Sequence, residues 1–148
     1  MEEKITKLEQ ISKDIRKDVV KMISEAKSGH PGGSLSCVDI LVTLYHEIMD
    51  LELDKYGRRI DKFVLSKGHA APVYYAVLSS KGYIPKEDLM TLRKYDSYLE
   101  GHPSNKINGV DVSSGSLGQG LSIANGMALS KRMSNEEGYV YCLLGDGE

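Results

Sequence analysis

The sequence predicts an α/β protein, a parallel sheet carrying helices on both faces in three layers. Three observations lead there. Two short apolar runs, Phe63-Val64-Leu65 and Tyr139 to Leu144, have the length and residue types of buried strands. The segments before and between them carry apolar residues at three- and four-residue steps, which is the helical period. The second strand runs directly into Gly145-Asp146-Gly147, and a carboxylate at the carboxyl end of a parallel strand sits where such sheets bind ligands. Strands separated by helices pair in parallel and are covered on both sides.

Each element has its own signal. Ile5, Leu8, Ile11, Ile15, Val19, Met22, Ile23 and Ala26 line one face of a long helix whose outer face is rich in lysine. Three glycines and a proline in Ser28-Gly29-His30-Pro31-Gly32-Gly33-Ser34 end that helix. Ser36, with Asp39 three residues on, resembles a shortened capping box for a second helix striped by Leu41, Leu44, Tyr45 and Ile48. The charged stretch Asp54 to Asp61, with Gly57, is a loop. The first strand ends in Ser66-Lys67-Gly68-His69-Ala70 and a helix follows, with Pro72 in its first turn and Gly82 at its end. Val73, Tyr74, Val77 and Leu78 point inward from it. Pro85 opens a shorter helix to about Lys94, and Tyr98 to Pro103 is irregular. Gly115-Ser116-Leu117-Gly118-Gln119-Gly120 leads into a small-residue helix with Leu121, Ala124, Ala128 and Leu129 on its packed side. Two strands are evident, so the sheet reads as incomplete at its C-terminal edge.

Composition narrows the function. One core and one domain suit 148 residues at 41% apolar content. Nineteen basic and 21 acidic residues give a net charge of −2, which leaves no nucleic-acid footprint. No apolar run reaches membrane-spanning length, and Met-Glu-Glu-Lys carries no apolar signal core. Cys37 and Cys142 lie in apolar segments without metal-type spacing and are expected to be buried thiols in a reducing cytoplasm.

The chemistry collects in the loops. His30, His69 and His102 share one local setting, a glycine before and a proline or alanine after, whereas His46 sits within a helix. Histidine can donate to phosphate or hydroxyl groups and can move protons near neutral pH. The glycines from Gly115 to Gly120 open a helix, where free backbone N–H groups can hold an anion; close helix packing would use the same residues. Their spacing is not the dinucleotide fingerprint. Asp146, flanked by glycines, suits Mg²⁺ shared with ligand phosphates, and taken alone also suits a surface turn.

Five motifs in order, Ser28 to Ser34, Leu65 to Ala70, Gly101-His102-Pro103, Gly115 to Gly120 and Gly145-Asp146-Gly147, resemble the N-terminal part of transketolase, from about Lys4 to the last residue. The resemblance is closest to the separate N-terminal subunits of split transketolases. It implies the three-layer thiamine diphosphate-binding fold, with residues 1–148 as the N-terminal part of a single, incomplete diphosphate-binding domain. It implies thiamine diphosphate and Mg²⁺ as cofactors. Asp146 would be the metal ligand, and Gly147 would offer its N–H to the diphosphate. Gly115 and Leu117 would hold the aminopyrimidine side through backbone groups. His69 would lie at the diphosphate and the substrate channel, with His30 and His102 facing the reacting sugar as catalytic groups. The family moves a two-carbon ketol unit from a ketose phosphate to an aldose phosphate, in the pentose phosphate pathway.

The family motif continues past Gly-Asp-Gly to an asparagine that gives a second Mg²⁺ ligand. It also needs a further substrate histidine and a glutamate that activates the aminopyrimidine. None of these follows Glu148 here. The expectation is therefore an inactive isolated chain that works with a C-terminal transketolase subunit or domain, in a dimer or hetero-oligomer acting on sugar phosphates. Two alternatives stand beside it. One is a non-catalytic assembly module that associates through apolar faces an incomplete sheet leaves open. The other is a different thiamine diphosphate enzyme, dihydroxyacetone synthase or 1-deoxyxylulose-5-phosphate synthase; the Ser-Gly-His-Pro-Gly-Gly-Ser run argues against the latter.

Overall fold

A computed structural model describes residues 2–148. Helix α1 (Glu2–Ala26) buries Ile15, Val19 and Met22 against helices α3 (Val38–Thr43) and α4 (Ala71–Ser80), as the apolar period requires. Strands β1 (Lys62–Leu65) and β2 (Val140–Leu143) pair in parallel, from Lys62 opposite Val140 to Leu65 opposite Leu143. Phe63, Leu65, Tyr141 and Leu143 turn to the core shared with these helices. By the two-residue alternation of strands, Val64 and Cys142 turn the other way, toward helix α5 (Gln119–Met133), which packs on both strands. The expected layering is thus present around a two-stranded sheet.

Helix α4 is buried all round from Ala71 to Leu78, not along one stripe. It starts with Pro72 in the first turn and ends where Gly82, at φ +82°, lets the chain turn back. Its Tyr74 hydroxyl donates to Gly109 O at 3.1 Å and accepts from Tyr45 at 3.2 Å.

Several expectations are corrected. The glycine-rich break contains a short helix, α2 (Pro31–Leu35), because Pro31 occupies its first position, where a missing N–H costs nothing. Ser36 is the C-cap of α2 rather than an N-cap, and Cys37 stands at the start of α3. The Ser36 hydroxyl donates to Gly33 O, while Asp39 takes a bidentate pair from Arg16 at 2.6 and 3.0 Å. Helix α3 runs on into a π-helical turn, Leu44–Ile48, carrying His46 against Ser80 at 2.9 Å. The segment after Pro85 tightens to a 3₁₀ turn, Glu87–Thr91. Strand β2 is half-buried, and so is Cys142; Cys37 is buried as expected. On α5 the buried positions are Gly120, Ala124 and Lys131, while Leu121 and Leu129 are exposed. Small residues, not leucines, face the sheet because the helix lies too close for larger ones. A Cβ on Gly120 would stand 2.4 Å from Ser66 Cβ.

Two buried carboxylates staple the elements. Asp61 accepts the N–H of Asp50 at 2.9 Å and that of Tyr139 at 2.6 Å, joining both ends of the sheet's entry. Asp111 accepts the N–H of Phe63 at 2.9 Å and pairs with Arg59 at 2.7 Å. Arg59 also donates to Gly109 O at 2.8 Å. Burial works against the Arg59 charge, and Asp111 together with Tyr45, Tyr74 and Tyr83 more than offsets it. These bonds fix the start of β1 to the segment that leads into Gly115.

Candidate active site

The loops that leave the carboxyl ends of β1 and β2 meet the α2 loop at one rim. Between them lies a cavity of about 630 Å³ lined by Gly32, Gly33, Ser36, Lys67, His69, Leu117 and Leu144 to Glu148. Four of the seven residues singled out in the sequence, His69, Leu117, Asp146 and Gly147, therefore share one wall system. His30 joins them through His69, their ring centroids 5.1 Å apart and edge to face. His102 and Gly115 form a neighbouring pair rather than part of the lining. A Cβ on Gly115 would lie 3.8 Å from the His102 ring.

Close backbone approach makes this meeting possible. Gly33 sits where a Cβ would stand 2.9 Å from His69 Nε2, and Gly68 where one would stand 2.9 Å from Ser114 O. The His102 loop is held by the Tyr75 hydroxyl, 3.0 Å from the carbonyls of both Glu100 and His102. Arg93 bridges two loops, donating to Ser28 Oγ at 2.9 Å and to Gly101 O at 3.5 Å.

The electrostatics favour a neutral His69 and an anion beside it. Burial, then the neighbouring His30, Lys67 and His102, hold the His69 pKa below the usual imidazole range. The Glu148 carboxylate already occupies an oxyanion position. It accepts from the Ser66 hydroxyl and from Gly145 N–H at 3.0 Å. Burial opposes its ionisation, but those hydrogen bonds prevail and hold its pKa low. Ser66 Oγ in turn accepts Gly120 N–H at 3.1 Å.

Sequence reasoning missed Ser66, Lys67, Arg93 and Glu148. The first two lie inside the quoted Leu65-to-Ala70 motif, where the histidine drew attention. Nothing local marks Arg93, because its partners are 65 and 8 residues away in the chain. Among the described residues no cluster of three His, Cys, Asp or Glu side chains forms a metal cage, and the carboxylates in the cavity lining are Asp146 and Glu148. A larger cavity of about 900 Å³ lies elsewhere, between Asp54–Ile60 and Lys131–Glu137. Its Arg58 is paired with Asp54 and Glu136, and its Lys131 with Glu137 O, and none of the residues singled out in the sequence lines it.

The family described as transketolase, thiamine diphosphate binding domain, matches residues 8–148. The chain belongs to the transketolase family. It is 42% identical over 142 residues to an apulose-4-phosphate transketolase subunit of Phocaeicola vulgatus, covering 95% of this chain and 50% of that one. It is 42% identical over 136 residues to a 6-deoxy-6-sulfo-D-fructose transketolase subunit of a Clostridium species, covering 90% of this chain and 50% of that one. Transketolase from Campylobacter jejuni superposes with a TM-score of 0.85 at 33% identity, over 95% of this chain and 23% of that one. The chain thus spans half the length of the split transketolase subunits and about a quarter of the long transketolases.

Proposed function

We propose that this chain is the diphosphate-binding portion of a transketolase that works with a C-terminal transketolase subunit. The observation that carries the reading is the single cavity that brings Asp146 and Gly147 to His69 and Leu117. The oxyanion position filled by the Glu148 carboxylate supports a diphosphate there. Asp146 would give one oxygen to Mg²⁺, a metal that usually takes one or two protein carboxylates and completes its shell with phosphate oxygens and water. Gly147 N–H would donate to the diphosphate, and the backbone of Gly115 and Leu117 would hold the aminopyrimidine side. Thiamine diphosphate supplies the carbanion chemistry when bound.

The chain's own groups would orient and protonate. His69, neutral near pH 7, can accept a proton or a hydrogen bond from a substrate hydroxyl. His30 stacks against it and His102 lies at the adjoining rim, so the three can serve successive oxygens of a sugar phosphate. The substrates are a ketose phosphate and an aldose phosphate, and the setting is the cytoplasm. Dihydroxyacetone synthase chemistry would use the same residues. No helix among the described residues is long and apolar enough to cross a membrane.

A ketol-transfer assay tests the reading. With thiamine diphosphate, Mg²⁺, a ketose phosphate and an aldose phosphate, the purified 148-residue chain gives no turnover. Turnover appears when chains supplying all the rest of a transketolase, the remainder of the diphosphate-binding part included, are added. Robust turnover by the isolated chain, or none in the mixture, contradicts it. The exposed apolar face of α5 favours one second reading, a non-catalytic assembly module.

A further inference from the structure

Lys67 is buried, with 8% of its surface exposed, yet among the described residues no carboxylate lies within ion-pair distance of it. Its ammonium donates to two neutral acceptors, Gly33 O at 2.9 Å and Ser36 Oγ at 3.2 Å. The Cys37 thiol also lies close enough to feel this charge, and burial keeps that thiol protonated, so every group the ammonium meets is neutral. A buried charge is costly unless it is paired. The other buried cations among the described residues meet this need: Arg59 has Asp111, and Lys131 has Glu137 O and Glu136. Lys67 differs in one further respect, because it lines the cavity beside His69 and Asp146.

Ser66, the residue before Lys67, donates to the Glu148 carboxylate, so this rim already holds an oxyanion. The bonds to Gly33 and Ser36 fix the ammonium from the α2 side, so the charge is held in place at the cavity wall before a ligand arrives.

We propose that Lys67 is a phosphoryl-binding residue of this cavity, its ammonium supplying the positive charge that a phosphate oxygen of the bound ligand pairs with. The inference rests on the diphosphate reading above and adds to it a cation that the glycine and histidine motifs do not include. Charge-assisted hydrogen bonds of this kind are short and strong, and a fixed lysine acts as a point charge on phosphate. The same chemistry would serve the diphosphate of a coenzyme or the phosphate of a sugar.

The test is calorimetric titration, with Mg²⁺ present, of inorganic pyrophosphate, thiamine diphosphate, unphosphorylated thiamine and ribose 5-phosphate into wild type, Lys67→Met and Lys67→Arg. Lys67→Met should weaken pyrophosphate and thiamine diphosphate about tenfold or more, the loss of one charged hydrogen bond. Lys67→Arg should recover most of it, and thiamine should show no dependence on residue 67. Weakening confined to ribose 5-phosphate supports phosphoryl binding and assigns it to the substrate. Unchanged binding of every phosphorylated probe by Lys67→Met overturns the Lys67 inference and leaves the cavity reading intact. Failure of wild type to bind any of them overturns both. A melting curve reports whether Lys67→Met folds. Should it not, the ¹⁵N shift of the Lys67 Nζ in wild type decides: movement on adding pyrophosphate supports the proposal, and no movement overturns it.

Discussion

Single residues hold this site together by what they lack as much as by what they carry. Gly120 and Gly68 have no Cβ, and that is why the α5 start and the Ser114 loop can lie against the tip of β1. Asp111 does the opposite work, with both of its oxygens in use inside the protein. It pairs with Arg59, accepts Phe63 N–H, and has Lys62 Nζ at 3.4 Å. Removing one partner of a buried pair leaves the other charge uncompensated, at a cost of about 3–5 kcal/mol. Asp111→Ala is expected to lower the unfolding free energy by that amount in a urea titration. A loss within the ordinary scatter of a surface substitution would show that Arg59 finds water or another partner.

At the scale of elements, α5 is the least expected. Its sheet side is made of Gly120 and Ala124, and its opposite side exposes Leu121, Ile123, Leu129 and Met133, the last at 76%. The apolar period was visible in the sequence, but it cannot say which face meets the sheet. That was decided by a 2.4 Å approach to Ser66, a contact between residues 54 apart. Contiguous exposed apolar surface of this kind marks an interaction face. Sedimentation equilibrium should show concentration-dependent association of the wild-type chain, reduced in a Leu129→Glu, Met133→Glu double variant. A strict monomer at high concentration would count against the assembly reading. Helix α1 was more legible, because its stripe of Ile15, Val19 and Met22 fills a core with one side to offer. The short elements were not. Pro31–Leu35 looks like a break in one dimension, and the π turn at Leu44–Ile48 leaves no mark in composition.

Across the whole molecule, the site was legible where glycine, proline and histidine cluster, since those residues announce loops with chemistry in them. His69, Leu117, Asp146 and Gly147 line one cavity, with His30 against His69. His102 and Gly115 stand one step aside, and the supporting residues, Ser66, Lys67 and Arg93, show themselves only in three dimensions. Apart from the Arg93 bond to Gly101, their partners lie 31 to 82 residues away in the chain, farther than any local pattern reaches. The central claim is that this convergence grips a diphosphate through a metal. Calorimetry of thiamine diphosphate binding to the wild-type chain and to Asp146→Ala, each with and without Mg²⁺, tests it most directly. The account predicts saturable binding by wild type that needs Mg²⁺ and is lost in Asp146→Ala. Binding indifferent to both the metal and Asp146, or no binding at all, would contradict it.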